Sequence, residues 1–171
     1  MPYTICWGWK DMEREKIVSK IEEVTIDTLE KLSFLFLNPL EGEEGSTQEG
    51  TIKIKVDFEG PYNGYMWVAV PLGAGEEIAK NMLGMDDALD SKEVEDALKE
   101  CANVLCGNIL PELFGKRLIF RIHMPTVISE DIQGDPLRTV VLMFELEDGG
   151  IMQLGFSFHT PIEEMRVGEG L

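Results

Sequence analysis

The sequence predicts an α+β domain in which long helices pack on a mainly antiparallel β-sheet. Two observations favour this class: long amphipathic helical segments and pairs of strand segments joined by turns. A third is that no repeating strand–helix–strand pattern, which would indicate a parallel sheet, is visible. The chain has 171 residues, of which 44% are hydrophobic, and this is enough for one core of ordinary size. We therefore expect a single domain over residues 1–171.

The first predicted helix runs from Asp11 to about Leu35. Apolar residues recur in it mostly at intervals of three and four, which places them on one face of an α-helix. This predicted buried face consists of Ile17, Ile21, Val24, Thr28, Leu29, Leu32 and Leu35. The following segment, from Asn38 to Gly50, contains a proline, several glycines and a run of glutamates. Such a composition predicts a loop.

A β-hairpin and two helices are predicted next. Residues 51–58 alternate apolar and polar side chains, which is the period of a strand with one buried face. A turn over residues 60–64 leads into a second strand from Tyr65 to Val70. A short helix is predicted from Ala74 to Leu83, and a longer one begins with Ser91 as its N-cap.

The C-terminal third predicts three more strands. One runs from Leu118 to His123, and the other two, Arg138 to Glu147 and Ile151 to Phe158, form a second hairpin. The turn Asp148-Gly149-Gly150 joins the strands of this hairpin. Both hairpins are consistent with an antiparallel sheet.

Charge and cysteine content exclude several classes of function. The formal net charge of −17 disfavours nucleic acid and anionic membrane surfaces as partners, because both carry negative charge. The three cysteines have no metal-ligand spacing and the chain shows no leader-like start, so a reducing cytoplasm is the simplest expectation. The acidic segment 41–49 is interpreted as a solvated loop.

The predicted helix over residues 91–110 displays two opposite faces. At 100° per residue, its buried stripe consists of Val94, Leu98, Cys101 and Leu105. The opposite face carries Asp96, Glu100, Asn103 and Gly107. A polar face alone is common to all amphipathic helices. However, asparagine is a mediocre helix former and a helical glycine costs about 1 kcal/mol relative to alanine, so this face is a candidate docking surface.

This helix resembles the motif helix of the CheC/CheX/FliY phosphatases. The family motif is Asp or Ser, three residues, Glu, two residues and Asn, and it is present here from Asp96 to Asn103. Gly107-Asn108 is similar to the family's Asn-x3-Gly pattern, and residues 125–129 resemble its Pro-Thr-Val-Val-Ser segment. The likeness covers roughly residues 11–158.

CheC and FliY carry the motif twice, whereas this chain offers one complete copy. Its first helix has Ser19 and Glu23 at the matching spacing, but Ile26 stands where the motif requires asparagine. Two departures from the family are Pro111, inside the predicted motif helix, and the N-terminal segment with Trp7 and Trp9. Because the chain has only one complete copy of the motif, the resemblance is to the CheX branch, with a CheC/CheX-like fold.

The resemblance implies a phosphatase that hydrolyses the aspartyl phosphate of a CheY-like response regulator in chemotaxis signalling. Asn103 would orient the attacking water, Glu100 would pair with a lysine of the regulator, and Asp96 and Gly107 would contact the partner. The chain would need no cofactor of its own, since Mg²⁺ belongs to the partner receiver domain, and it would form a homodimer. The alternative is a non-catalytic receiver-binding adaptor or flagellar switch component.

Other candidate sites are interpreted as structural. His123 and His159 have no carboxylate or cysteine at ligand spacing, so no metal site is predicted. Residues 73–75 lack the lysine and hydroxyl residue of a P-loop and predict turn and capping chemistry. The tryptophans and methionines are assigned to packing, with Met66 and Trp67 as alternative members of a dimer surface.

Overall fold

A computed structural model describes residues 4–41 and 49–168, with residues 4–11 described by their backbone alone. The elements are α1 (Thr4–Ser33), β1 (Leu37–Leu40), β2 (Thr51–Glu59), β3 (Gly64–Pro71), α2 (Leu72–Leu83), α3 (Ser91–Phe114), β4 (Arg121–Ile122), β5 (Thr126–Ile128), β6 (Thr139–Leu146) and β7 (Ile151–Phe158), followed by a short 3-10 helix (Ile162–Glu164). The predicted α+β class is confirmed.

One seven-stranded antiparallel sheet forms the base of the fold. Its order is β1-β6-β7-β3-β2-β4, and β5 also pairs with β2 beside β4. The two predicted hairpins, β2–β3 and β6–β7, are both present. They are joined in the middle by the pairing of β3 with β7, which a sequence pattern does not specify.

The three helices cover one face of the sheet. Alternate residues of β2, β3 and β7, such as Val56, Val68 and Leu154, are buried with the apolar stripes of the helices in one hydrophobic cluster. Two of the predicted stripe residues of α1, Ile17 and Ile21, are fully buried in this cluster. The buried faces of the strands, which repeat every two residues, and of the helices, which repeat every 3.6 residues, therefore pack in a single core.

The N-terminal predictions need two corrections. Helix α1 begins at Thr4 and not at Asp11, and it ends at Ser33, where Phe34 takes a positive φ of 55°. The predicted loop from Asn38 contains part of β1, which pairs with β6 at the edge of the sheet. An edge strand tolerates Pro39 because only one side of the strand needs backbone donors. Residues 42–48 of the acidic segment lie outside the described residues.

The start of α2 also differs from prediction. Residues 73–75 lie in the first turns of α2 and do not form a separate turn. A Cβ on Gly75 would lie 3.1 Å from Cδ1 of Leu98, so the small residue allows α2 to approach α3 closely. The predicted end is confirmed, because Gly84 caps the helix with a φ of 65°.

The N-cap of α3 is Asp90 and not Ser91. The Asp90 side chain accepts a hydrogen bond from the backbone N–H of Glu93, and the Glu93 carboxylate accepts one from the backbone N–H of Asp90. This reciprocal capping box satisfies two backbone donors at once, which Ser91 as a cap would not. At the other end, α3 continues through Pro111 to Phe114.

The predicted strand from Leu118 to His123 is reduced to the two residues of β4. Residues 116–120 form an irregular connection after α3, and Phe120 turns inward to pack on Phe58 and Phe114. The chain then pairs with β2 a second time as β5, which the sequence analysis did not predict as a strand. This split strand lies at the edge of the sheet beside α3.

Two predicted packing residues lie on opposite faces of the sheet. Met66 is fully buried in the core beneath the helices, so its alternative assignment to a dimer surface is wrong. Trp67 is buried on the other face, where its indole lies over Gly155 of β7. The side chains of Trp7 and Trp9 lie outside the described residues.

Candidate functional site

Helix α3 carries the four candidate residues on a rigid scaffold. Its opposite side is held by Val94, Leu98, Cys101 and Leu105, all of which are buried as predicted. Asp96 and Glu100 are exposed, whereas Asn103 and Gly107 are half-buried. The helical wheel predicts that all four residues point away from the core. For Asn103 and Gly107 this prediction is only partly correct. The buried arc of α3 widens here because β4 and β5 lie alongside the helix.

The two carboxylates of this face differ in their partners. Asp96 forms an ion pair with Lys99 one turn later on the helix, with 3.8 Å between Oδ1 and Nζ. Glu100 makes no side-chain hydrogen bond or ion pair with any of the residues that the structure describes. An exposed carboxylate of this kind keeps its acceptor capacity for a cation outside the chain. Glu100 is thus the better placed of the two to receive a partner's lysine.

Asn103 lies one turn after Glu100 and combines partial burial with an unused amide. Within the described ranges, its side chain has no hydrogen-bond partner. An amide can both donate to and accept from water, and partial burial limits the orientations of the side chain. The arrangement therefore suits a group that positions a water molecule, with no strong base required.

Gly107 is not required by packing within the chain. A Cβ at this position would meet only Cδ1 of Ile122, at 3.7 Å, which is ordinary van der Waals contact. Glycine nevertheless weakens the helix by about 1 kcal/mol relative to alanine. The free space above Gly107 consequently faces outward and is available for close approach by another molecule.

Asn108 has a structural role. Its Nδ2 donates to Oγ1 of Thr28 on α1, at 3.2 Å, so it fastens α3 to α1. The matching positions on α1 differ from the motif in the structure as well. Ile26 packs against the core, while Ser19 and Glu23 are exposed.

A groove of about 740 Å³ runs between α1 and α3 next to the candidate residues. No local sequence pattern reveals this groove, because it depends on how two distant segments pack. Its acidic rim is largely neutralised by lysines on the same helices: Glu23 with Lys20, Asp27 with Lys31 and Glu112 with Lys116. The walls are Glu23, Val24, Asp27, Thr28, Gly107, Asn108, Pro111, Glu112 and Lys116.

The two cysteines of α3 are not nucleophiles. Cys101 and Cys106 are free and buried. Burial raises the pKa of both thiols to about 12, and for Cys101 the charge of neighbouring Glu100 adds to this rise in pKa. Both remain protonated near neutral pH, and the thiolate is the reactive form of cysteine.

The predicted structural histidines follow strands β4 and β7 directly. His123 has Nε2 3.5 Å from Oε1 of Glu59, and His159 is exposed at the end of β7. In the part of the chain that the structure describes, no group of three or more ligand-type side chains could hold a metal ion. Across the same residues, no helix is both long and apolar enough to span a bilayer.

Comparison with known families relates part of the chain to one group of proteins. A family model described as chemotaxis phosphatase CheX matches residues 52–134, a range that includes all of α3 and the split edge strand. This part of the chain is similar to the CheX family. Glu100 and Asn103, with Asp96 and Gly107 on the same face, lie inside the matched range.

Solved CheX structures share the fold. A CheX from Desulfovibrio desulfuricans has a TM-score of 0.68 at 21% identity, covering 84% of this chain and 99% of that one. A CheX from Vibrio vulnificus has a TM-score of 0.66 at 22% identity, with 84% and 96% covered. A CheX in a complex with CheY, BeF₃ and Mg²⁺ from Borrelia burgdorferi has a TM-score of 0.63 at 18% identity, with 84% and 97% covered.

At these identities the structural likeness establishes the fold of the chain. Among curated proteins, none matches the chain. The assignment of roles to Glu100 and Asn103 consequently rests on the motif and on the geometry of α3.

Proposed function

We propose that this protein hydrolyses the aspartyl phosphate of a CheY-like response regulator in chemotaxis signalling. The observation that carries the proposal is the pairing, one turn apart on α3, of an exposed carboxylate and a half-buried amide. Within the part of the chain that is described, the side-chain polar atoms of Glu100 and Asn103 form no hydrogen bond or ion pair. The match of residues 52–134 to the CheX family supports the proposal, because that family includes CheY phosphatases.

In the proposed reaction, a water molecule attacks the phosphorus of the aspartyl phosphate. The new bond joins the water oxygen to phosphorus, the bond from phosphorus to the aspartyl oxygen breaks, and the products are the free carboxylate and inorganic phosphate. The partner's Mg²⁺ and active-site lysine neutralise charge on the phosphoryl group. What remains to be supplied is the position of the water, for which a fixed neutral amide is suited.

Each residue of the candidate face has a separate role in this proposal. Asn103 enters the receiver's active site and orients the water, while Glu100 accepts a charge-assisted hydrogen bond from the receiver's lysine. Gly107 leaves room for the approaching receiver. Asp96 contacts the partner at the periphery, where its ion pair with Lys99 is solvent-exposed and contributes little energy.

A relative in the comparisons supports the choice of partner. The Borrelia burgdorferi CheX was crystallised in complex with CheY carrying BeF₃ and Mg²⁺. The proposed partner of the present chain is therefore a phosphorylated receiver domain. A homodimer, which the resemblance implies, stays a prediction.

The proposal is tested by measuring the decay of phosphorylated receiver domains from the source organism with wild-type protein and with Asn103→Ala. We expect the wild type to accelerate the decay of its cognate receiver and the variant to lose about 10²-fold of this activity or more, as when other transition-state donors are removed. Asn108→Ala is the matched control, because it removes the same amide five residues later on α3 without touching the candidate face.

Two results would contradict the proposal. Undiminished turnover by Asn103→Ala would exclude the water-positioning role. Tight binding of a receiver without accelerated hydrolysis would instead indicate the alternative function, a receiver-binding adaptor or switch component.

A further inference from the structure

Large apolar side chains lie exposed along the sheet edge that borders α3. Met124 is 86% exposed and Val127 is 40% exposed. Together with Ile122, whose side chain contacts the Gly107 position, they form what we call the apolar ledge (Ile122, Met124 and Val127). A single exposed apolar side chain is common, but apolar side chains grouped next to a candidate site are typical of a contact surface.

The backbone at Met124 is a β-bulge. Phe58 of β2 faces Ile122, but Lys55 faces Thr126. Between these positions β2 has two residues and the edge segment has three. His123 bonds to Asp57 through its backbone N–H, so Val56 alone faces both Met124 and Pro125. Bulges redirect side chains and are enriched at sheet edges and next to active sites.

The apolar ledge is continuous with the candidate face of α3. At one end, Cδ1 of Ile122 lies 3.7 Å from the Cβ position of Gly107. At the other end, Val127 faces Ile54, whose side chain belongs to the core beneath the helices, so Val127 lies on the helix side of the sheet. Met124 lies between them along the edge.

The opposite flank of α3 differs in chemistry. There the groove towards α1 has a rim of ion-paired carboxylates and lysines. A specific interface buries about 800 Å² on each partner, and its centre is depleted in charged residues and relatively apolar. The two side chains of Glu100 and Asn103 cannot supply such an area, and the groove has ion-paired side chains at its rim. The ledge can supply an apolar centre.

We propose that the apolar ledge is the hydrophobic contact through which the protein docks the receiver domain, with Met124 as its anchor. The inference rests on the proposed function, because the receiver is its committed occupant. In this arrangement the polar pair Glu100 and Asn103 acts on the phosphorylated site, and the ledge determines affinity. The flexible, polarizable thioether of methionine suits an anchor that must fit a partner's surface.

The test measures binding of the cognate receiver, activated with beryllofluoride and Mg²⁺, by calorimetry. Met124→Ser is expected to weaken binding about 10-fold or more, since loss of an apolar anchor at an interface costs upwards of 1 kcal/mol. Asn103→Ala is expected to bind like the wild type. In turnover assays, Met124→Ser raises the receiver concentration needed for half-maximal rate and leaves the maximal rate unchanged.

Leu137→Ser is the matched control. Leu137 is 66% exposed and lies just before β6, away from α3, so replacing it removes a comparable exposed apolar side chain outside the ledge. Met124→Ser and Leu137→Ser should retain the melting temperature of the wild type, because both replaced side chains are largely solvent-exposed.

The outcomes separate the two proposals. If Met124→Ser binds the receiver as tightly as the wild type, or if Leu137→Ser weakens binding equally, the docking role of the ledge is wrong. The phosphatase proposal would be unaffected by either result. Weakened binding by Met124→Ser together with no hydrolysis by the wild type would support the ledge and overturn the phosphatase. If Met124→Ser changes the oligomeric state of the chain alone in sedimentation, the ledge is a contact between copies and the docking proposal is wrong.

Discussion

At the residue scale, two asparagines on α3 show how position decides what an identical side chain does. The Asn108 amide donates a hydrogen bond to Thr28 and so holds two helices together. Asn103, five residues earlier, has no such partner among the described residues and lies half-buried beside the sheet edge. Two carboxylates show the same contrast, because Asp96 is paired with Lys99 whereas Glu100 has no ion-pair partner in the described ranges.

The exposed carboxylate of Glu100, which pairs with none of the residues that the structure describes, predicts the effect of Glu100→Gln on receiver binding. Loss of the charge is expected to lower the affinity for the phosphorylated or beryllofluoride-activated receiver about 10-fold, because hydrogen bonds to charged groups contribute roughly 1.5–3 kcal/mol. Calorimetric binding checks this result. The free energy of unfolding should change by less than about 0.5 kcal/mol, as is usual for surface positions without contacts.

Glu95→Gln serves as the control for this substitution. It removes an equal charge from the same helix but from a half-buried position outside the candidate face. Equal loss of affinity in both variants would mean that the net charge of the chain matters and that a specific pairing of Glu100 does not.

At the element scale, α3 serves as the scaffold of the site, and its two ends are stabilised differently. The N-terminal end has the capping box of Asp90 and Glu93, which fixes where the helix begins. Near the C-terminal end, Pro111 lacks a backbone donor, yet the helix continues to Phe114. Phe114 is held by aromatic packing on Tyr62, Phe120 and Phe158. Tertiary contacts therefore sustain the last turn despite the proline.

The capping box predicts different costs for two neighbouring substitutions. Asp90→Ala should lower the free energy of unfolding by about 1 kcal/mol, because the side-chain acceptor for the Glu93 backbone N–H is lost. Ser91→Ala should cost little, since Ser91 is exposed and follows the cap. Urea denaturation of both variants measures the difference. A larger cost for Ser91→Ala would mean that the cap was assigned to the wrong residue.

At the scale of the whole molecule, the two faces of the sheet are used differently. The helices and the candidate site occupy one face, with the large apolar residues of the strands beneath them. On the other face, Trp67 of β3 lies over Gly155 of β7 and is buried, and its indole Nε1 has no hydrogen-bond partner among the described residues. This contact joins the two hairpins at the middle of the sheet.

The Trp67 contact predicts the effect of Gly155→Ala. A Cβ at this position would overlap the Trp67 indole, so the substitution should lower the free energy of unfolding by about 1–3 kcal/mol, the usual cost of overpacking. Denaturant titration measures this loss. Combining Gly155→Ala with Trp67→Leu should cost less than the sum of the two single substitutions, because the residues are in contact.

Gly107→Ala is the matched control for the stability measurement. Its Cβ would find ordinary contact distance, and alanine favours the helix by about 1 kcal/mol, so the variant should be at least as stable as the wild type. Destabilisation by Gly107→Ala of the size expected for Gly155→Ala would show that the room at Gly107 is needed inside the protein.

The sequence by itself determined the fold class, the two hairpins and the buried stripe of α3. These follow from periodicity, which the chain encodes locally because side chains alternate in strands and repeat at 3.6 residues in helices. It also placed Glu100 and Asn103 on one helical face one turn apart, since the α-helix fixes their spacing. The motif that relates the chain to the CheX family is local for the same reason.

The tertiary structure alone decided which of these residues remain available and what lies beside them. The partial burial of Asn103 and Gly107 arises because the split edge strand lies along α3, and its register includes a bulge that a local pattern does not reveal. The pairing of β1 with β6 likewise turned an apparent loop into an edge strand. Such features depend on contacts between residues far apart in the chain, whose energies local propensity does not contain.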